Sequence, residues 1–218
     1  MSSLVDTFRR THRDLRLSLT DRCTLRCTYC MPHDFAEWIP REKHLSSEEI
    51  IQLVRIVVGL GITSVRLTGG EPLLHPRVIE IITQIKSIPN APELSMTTNG
   101  VALAKLAPVL REAGLDRVNI SLDTLSPDRF KRLTHRNYFN QVIDGIAKAQ
   151  EVGFAPIKLN AVLIRGVNDD EALPLLRWAL QSNLNLRFIE QMPLDAGHSW
   201  DRKSMVSAAE IYESLSCE

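Results

Sequence analysis

Six short β-type runs alternate with helix-type patterns along this 218-residue chain, and that alternation confines it to an α/β fold built on a parallel sheet. The runs are Asp14–Thr20, Ser64–Thr68, Leu94–Thr98, Arg117–Leu122, Ile157–Ile164 and Leu186–Glu190. Helix signals fill the gaps. Ser46 and Glu49 form a capping-box pair ahead of Ile50, Leu53, Val54, Val57 and Val58 at helical spacing, with Gly61 placed to end the helix. Ser126 followed by Pro127 opens another helix. Pro108 is expected to start a short helix ending near Gly114, because a mid-helix proline costs about 3 kcal/mol. Asn168 and Glu171 are expected to cap the helix that carries Leu175, Leu176 and Trp178.

Repeated βα units of this kind make either an open doubly wound sheet or an incomplete βα barrel. Strand alternation decides in favour of the barrel. It sets Arg16, Ser18 and Thr20 against Leu15, Leu17 and Leu19, and Arg66 and Thr68 against Val65 and Leu67. Asn119 and Ser121 oppose Val118 and Ile120 in the same way, and Lys158 and Asn160 oppose Ile157 and Leu159. Each strand therefore has an apolar face to lie under helices and a polar face. Polar faces turned to a common axis line a wet or ligand-filled lumen, because a packed core could not hold unpaired cations. The expected fold class is α/β, an incomplete (βα)6 TIM-like barrel forming a single domain over residues 1–218.

Three cysteines fall within eight residues, Cys23, Cys27 and Cys30 in CTLRCTYC, and the fourth, Cys217, stands almost at the end. An odd local trio cannot pair internally into disulfides. Soft thiolates select zinc, copper(I) or an iron–sulfur cluster. A Cys3His zinc site that recruits His33 stays open on spacing alone. Three thiolates on a four-iron cube would leave one iron free for a substrate.

Sites in βα barrels gather at the C-terminal ends of the strands. Those ends read Thr20-Asp21-Arg22-Cys23, Thr68-Gly69-Gly70-Glu71-Pro72, Thr97-Thr98-Asn99-Gly100, Ser121-Leu122-Asp123 and Glu190-Gln191-Met192-Pro193. Gly69-Gly70 allows a close backbone approach, and a ligand held between it and the cysteine loop is the expectation. Arg16, Arg66 and Lys158 face the lumen as cations suited to a polyanion, with internal salt bridges to Glu71, Asp123 or Glu190 as the alternative.

CTLRCTYC matches the CxxxCxxC signature of radical S-adenosylmethionine (SAM) enzymes, and VRLTGGEPLL looks like that superfamily's glycine-rich SAM-binding strand. LRLSLTDRC, VRLTGGEP, MTTNG, NISLDTL, KLNAVLIRGVN and LRFIEQMP together resemble the GTP 3′,8-cyclase family, which performs the first step of molybdenum-cofactor biosynthesis. The resemblance runs from about Leu4 to Ser207. It implies that Cys23, Cys27 and Cys30 ligate a [4Fe-4S] cluster whose open iron chelates SAM. It places Tyr29, Gly70, Glu71, Ser121 and Met192 at the SAM, and Arg16, Arg66, Thr97 and Lys158 at GTP. The implied reaction is lyase-type radical chemistry carried by cluster and SAM, with no side chain singled out as a catalytic acid or base. A radical SAM enzyme for another substrate and a non-catalytic nucleotide-binding remnant are the competing functions.

The family also carries a second cysteine trio in a C-terminal segment, whereas this sequence ends at Glu218 with Cys217 alone. The expectation is a chain without that segment and with impaired cyclisation. Lys and Arg number 26 and Asp and Glu 26, so no global charge recommends nucleic acid or a membrane surface. The apolar stretch from Ile50 to Ile62 is broken by Gln52, Arg55 and two glycines. MSSLVDTFRRTHRD has no apolar h-region, and clustered thiols fit a reducing cytoplasm. Expected partners are GTP and a reductant protein for the cluster, with no nucleic acid and no membrane; a homodimer is left open.

Overall fold

A computed structural model describes residues 4–31, 38–193 and 200–216. All six expected strands are present: β1 (Asp14–Ser18), β2 (Ser64–Thr68), β3 (Glu93–Thr98), β4 (Arg117–Ser121), β5 (Lys158–Leu163) and β6 (Asn185–Glu190). They pair in parallel in the order β1-β2-β3-β4-β5-β6. This sequential winding is that of a βα barrel; a doubly wound sheet reverses its strand order partway. The helices are α1 (Ser47–Gly59), α2 (Val78–Lys86), α3 (Leu103–Glu112), α4 (Pro127–Thr134), α5 (Phe139–Glu151), α6 (Ala172–Gln181) and α7 (Ala208–Ser216). Among the described residues no helix is long and apolar enough to cross a membrane.

The sheet curls. Register places Arg16, Arg66, Ser95 and Arg117 level across β1 to β4, and Thr97, Asn119, Lys158 and Asn185 level across β3 to β6. Arg187 on β6 nevertheless lies near enough to Arg66 on β2 to lower its pKa, behind burial and Arg16 in effect. In a flat sheet those strands would stand about 19 Å apart, four spacings of about 4.8 Å. The polar faces therefore line a concave lumen. The opposite faces supply the core, in which Val65, Leu67, Leu94, Met96, Val118, Ile120 and Leu159 are fully buried under the helices.

The capping box at Ser46 and Glu49 forms in both directions, and Gly61 follows the end of α1 at φ +96°. The Ser126 side chain caps α4 with Pro127 in its first turn. Pro108, in contrast, lies inside α3 and does not start it. Leu103 and Leu110, both fully buried on that helix, contribute about 3–6 kcal/mol, enough to offset the proline. Pro108 itself is exposed, on the solvent side where water can serve the freed carbonyl one turn back.

Asn168 and Glu171 do not cap α6 either. The Asn168 amide donates to the Asp123 and Val162 carbonyls at 2.7 and 2.9 Å and accepts from the Ile164 N–H at 2.7 Å. Glu171 accepts from the Thr124 hydroxyl, from the Leu125 N–H at 2.7 Å and from the Arg129 guanidinium at 2.5 Å. Both side chains are buried and tie the loop after β4 to the loop after β5. Their polar atoms are worth more satisfied inside than spent on exposed amides at a helix start.

Helices α3 and α5 meet at Gly145. A Cβ there would stand 2.5 Å from the Gly100 carbonyl oxygen and 3.2 Å from Leu103 Cβ. Gly145→Ala should therefore destabilise the fold by about 1–3 kcal/mol, despite alanine's better helix propensity. Gly59→Ala, with nothing within 4 Å, should be neutral or stabilising by up to about 1 kcal/mol. Urea midpoints of the two variants check both statements; an unchanged midpoint for Gly145→Ala would contradict the packing.

Candidate functional site

The cysteine loop leaves β1 and is strapped across the ends of three further strands. Its first anchor is at β2. The Gly70 N–H donates to the Thr20 carbonyl at 2.6 Å, and the Glu71 N–H to the Arg22 carbonyl at 2.7 Å. A Cβ on Gly69, where φ is +142°, would lie 2.3 Å from the Thr20 oxygen, and one on Gly70 would lie 2.3 Å from the Arg22 oxygen. The close approach expected of this glycine pair is made to the backbone that leads into Cys23. No residue with a side chain can take either place without moving the loop.

The second anchor is at β3. Glu71, 1 % exposed, accepts from the Leu73 N–H at 3.0 Å, the Thr98 hydroxyl at 2.7 Å and the Asn99 N–H at 2.7 Å. Burial raises its pKa while those three donors pull it down. Both carboxylate oxygens are committed to holding the turn. The Asn99 amide in turn donates to Thr24 Oγ1 at 2.8 Å and reaches Cys23 Sγ at 3.6 Å.

The third anchor is at β4, where the Tyr29 hydroxyl donates to Asp123 Oδ2 at 2.6 Å and the Val162 N–H to Oδ1 at 2.9 Å. Burial pushes the Asp123 carboxyl up to about 6 against the pull of those two donors. The end of α4 adds backbone bonds at 2.9 Å, from the Arg26 N–H to Thr134 and from the Thr28 N–H to Leu133. The Arg26 guanidinium donates to the Cys23 and Leu25 carbonyls at 2.8 Å each and stacks 4.9 Å from the Trp38 ring centre.

Held in this way, Cys23 and Cys27 are half-buried and Cys30 is exposed, all three as free thiols. Burial is the main cause raising each thiol pKa, most of all for Cys27. Asp123, Cys23 and Cys30 raise Cys27 further, so the three thiols lie near enough to feel one another's charge. Among the described residues no three ligating side chains converge as a single metal ion requires. A single zinc draws every sulfur to about 2.3 Å, whereas a four-iron cube presents a separate iron to each thiolate. The donor set fits the cube; binding it would displace the thiol protons. His33 and Cys217, the remaining candidates raised by the sequence, lie outside the described residues.

Beside this loop a cavity of about 400 Å³ is lined by Ser18, Thr20, Lys43, His44, Gly69 and Gly70 among others. That volume is within the range of small-molecule sites. Ser121 ends β4 half-buried, and Met192 follows β6 with 52 % of its surface exposed. Thr97 is half-buried in the lumen and accepts a long bond, 3.4 Å, from the Asn119 amide.

Below the loop the lumen is cationic. The expected alternative of salt bridges does not form: Glu71 and Asp123 are committed as described, and Glu190 accepts from the Ala208 N–H at 2.7 Å. Among the described residues Arg16, Arg66 and Lys158 pair with no carboxylate, whereas Arg117 is held by Glu93. Burial and then the charges of Arg16, Arg187 and Arg117 lower the Arg66 pKa, against a smaller opposing pull from Asp14. The strand alternation available in LRFIE places Arg187 opposite Leu186 and Phe188, and applying it to β6 finds this further lumen cation. Asn99 had no such signal, since an Asn-Gly pair at a strand end reads as a turn.

The profile of the radical SAM superfamily matches residues 17–179. The chain is 52% identical over 213 residues to the GTP 3′,8-cyclase of Streptomyces coelicolor and 51% identical over 218 residues to that of Paenarthrobacter nicotinovorans. These alignments cover 97% and 99% of this chain but 62% and 61% of those proteins, so the chain spans about three-fifths of their length. Streptococcus suis SuiB, solved with its precursor peptide SuiA, superposes with a TM-score of 0.75 at 17% identity over 94% of this chain and 45% of its own. The strapped trio, the glycine turn beneath it and the open barrel thus have one common explanation: the chain belongs to the radical SAM superfamily, whose chemistry runs on a [4Fe-4S] cluster and S-adenosylmethionine.

Proposed function

We propose that residues 1–218 act as the radical SAM barrel unit of a GTP 3′,8-cyclase, the lyase-type enzyme of the first step in molybdenum-cofactor biosynthesis. The carrying observation is 52% identity, over 97% of this chain, to a relative of that name. The lumen supports the reading independently, through cations that have no carboxylate partner among the described residues and whose mutual repulsion a triphosphate would relieve.

In this reading Cys23, Cys27 and Cys30 hold the cluster, and Tyr29, Gly70, Glu71, Ser121 and Met192 surround SAM. Cluster and SAM, when bound, supply one-electron chemistry strong enough to take a hydrogen atom from the ribose 3′ carbon. The chain's own part is position and exclusion. Arg16, Arg66 and Lys158, with Arg187 beside them, neutralise the triphosphate through charge-assisted hydrogen bonds. The Thr97 hydroxyl, level with Lys158, adds a neutral donor. Glu71 acts through the turn it fixes, because its oxygens are already occupied by internal donors. The apolar strand faces under the helices close the barrel wall against water. A one-electron donor protein and a reducing cytoplasm complete the proposal.

Two measurements test it. Anaerobic reconstitution with iron and sulfide should give one four-iron cluster per chain, lost in Cys23→Ala, Cys27→Ala and Cys30→Ala and kept in Cys217→Ala. A cluster retained by Cys27→Ala refutes the ligand set. Each charge-assisted bond is worth about 1.5–3 kcal/mol, so Arg66→Ala or Lys158→Ala should weaken GTP binding roughly 10- to 150-fold in calorimetry. SAM binding should change little. Equal GTP affinity in the wild type and both variants would point to a different substrate.

A further inference from the structure

The side-chain amide of Asn99 is aimed at a cysteine sulfur, and nothing in the sequence pattern marks it for that role. Asn99 is 8 % exposed and fully engaged. Its backbone N–H donates to Glu71 Oε2 at 2.7 Å, and its Oδ1 accepts from the Val101 N–H at 3.1 Å. The second contact fixes the amide orientation, since only the oxygen can face an N–H donor. Nδ2 is therefore turned towards the cysteine loop, where it donates to Thr24 Oγ1 at 2.8 Å and to Cys23 Sγ at 3.6 Å, an ordinary length for a bond to the larger sulfur atom.

We propose that Asn99 is a positioning residue that orients Cys23 and, through its N–H···S bond, raises the reduction potential of the cluster bound there. The inference rests on the radical SAM reading of the cysteine trio. Hydrogen bonds to ligand sulfurs are a principal means by which a protein sets the potential of an iron–sulfur cluster. Reduction places an extra electron on cluster and thiolates, and a donor aimed at a thiolate sulfur stabilises that added charge more than the oxidised state. Because the Asn99 backbone N–H also donates to Glu71 Oε2, the same residue ties the cluster's electronic environment to the glycine turn beneath the loop.

An anaerobic redox titration followed by electron paramagnetic resonance tests this on the reconstituted full chain. Asn99→Ala, which removes the donor without adding charge, should shift the cluster midpoint to a more negative potential at unchanged iron and sulfide content. Asn99→Asp keeps the acceptor for Val101 should the alanine variant fail to fold, and its added charge should shift the midpoint further. Thr24→Val removes a bond of Asn99 but not the one to sulfur, so its midpoint should stay with the wild type. An intact cluster at wild-type potential in both Asn99 variants overturns the inference alone. A wild-type chain that assembles no cluster overturns the radical SAM reading and this inference with it.

Discussion

Everything about this site depends on one backbone contact, the seating of the Gly69–Gly70 turn against residues 20–22. Two short N–H···O=C bonds join a strand end to the start of the cysteine loop, at separations that leave no room for a Cβ. Without that contact the loop would have to be ordered by its own side chains, against a backbone cost of about 1–2 kcal/mol per residue. With it, Cys23 begins at a fixed point beside the ends of β2 and β3, and Tyr29 reaches Asp123 at β4. The thiols are then held before any cofactor arrives, which lowers the ordering cost of binding it.

The lumen follows the opposite logic. The loop is over-determined by hydrogen bonds, whereas Arg16, Arg66 and Lys158 have no carboxylate partner among the described residues. Crowded cations weaken a fold, and sites that break the rules of stability in this way are where function is expected. The curl of the sheet makes the crowding possible, since it brings Arg187 of β6 into the field of Arg66 on β2. The carboxylates that might have relieved it are bound elsewhere, in positions that shape the strand ends.

Strand positions and lumen-facing residues were legible in the sequence because they depend on a period of two, which short runs such as VRLT and VNIS display in full. Helix starts with a capping box or a Ser-Pro pair were legible for the same local reason. What was not legible depended on distant partners. Pro108 reads as a helix start until the buried Leu103 and Leu110 override its local cost. Asn168 and Glu171 resemble caps, but their partners Asp123, Val162, Thr124 and Arg129 come from other loops. The glycine pair was legible as a close approach but not as an approach to the cysteine loop, since the contact lies about 50 positions away along the chain.

The central claim is that the glycine turn shapes the cysteine loop into a cluster site, and Gly70→Ala tests it most directly. Its added methyl would stand 2.3 Å from the Arg22 oxygen and 2.4 Å from the Asp21 oxygen, so the loop must move, while Gly70 lies outside the strands and helices of the barrel. Mössbauer spectroscopy of the anaerobically reconstituted chain, with circular dichroism as the check on folding, reads the outcome. The account predicts a four-iron cluster in the wild type and loss of most of it in a folded Gly70→Ala chain. A folded variant that carries the full wild-type cluster would contradict it.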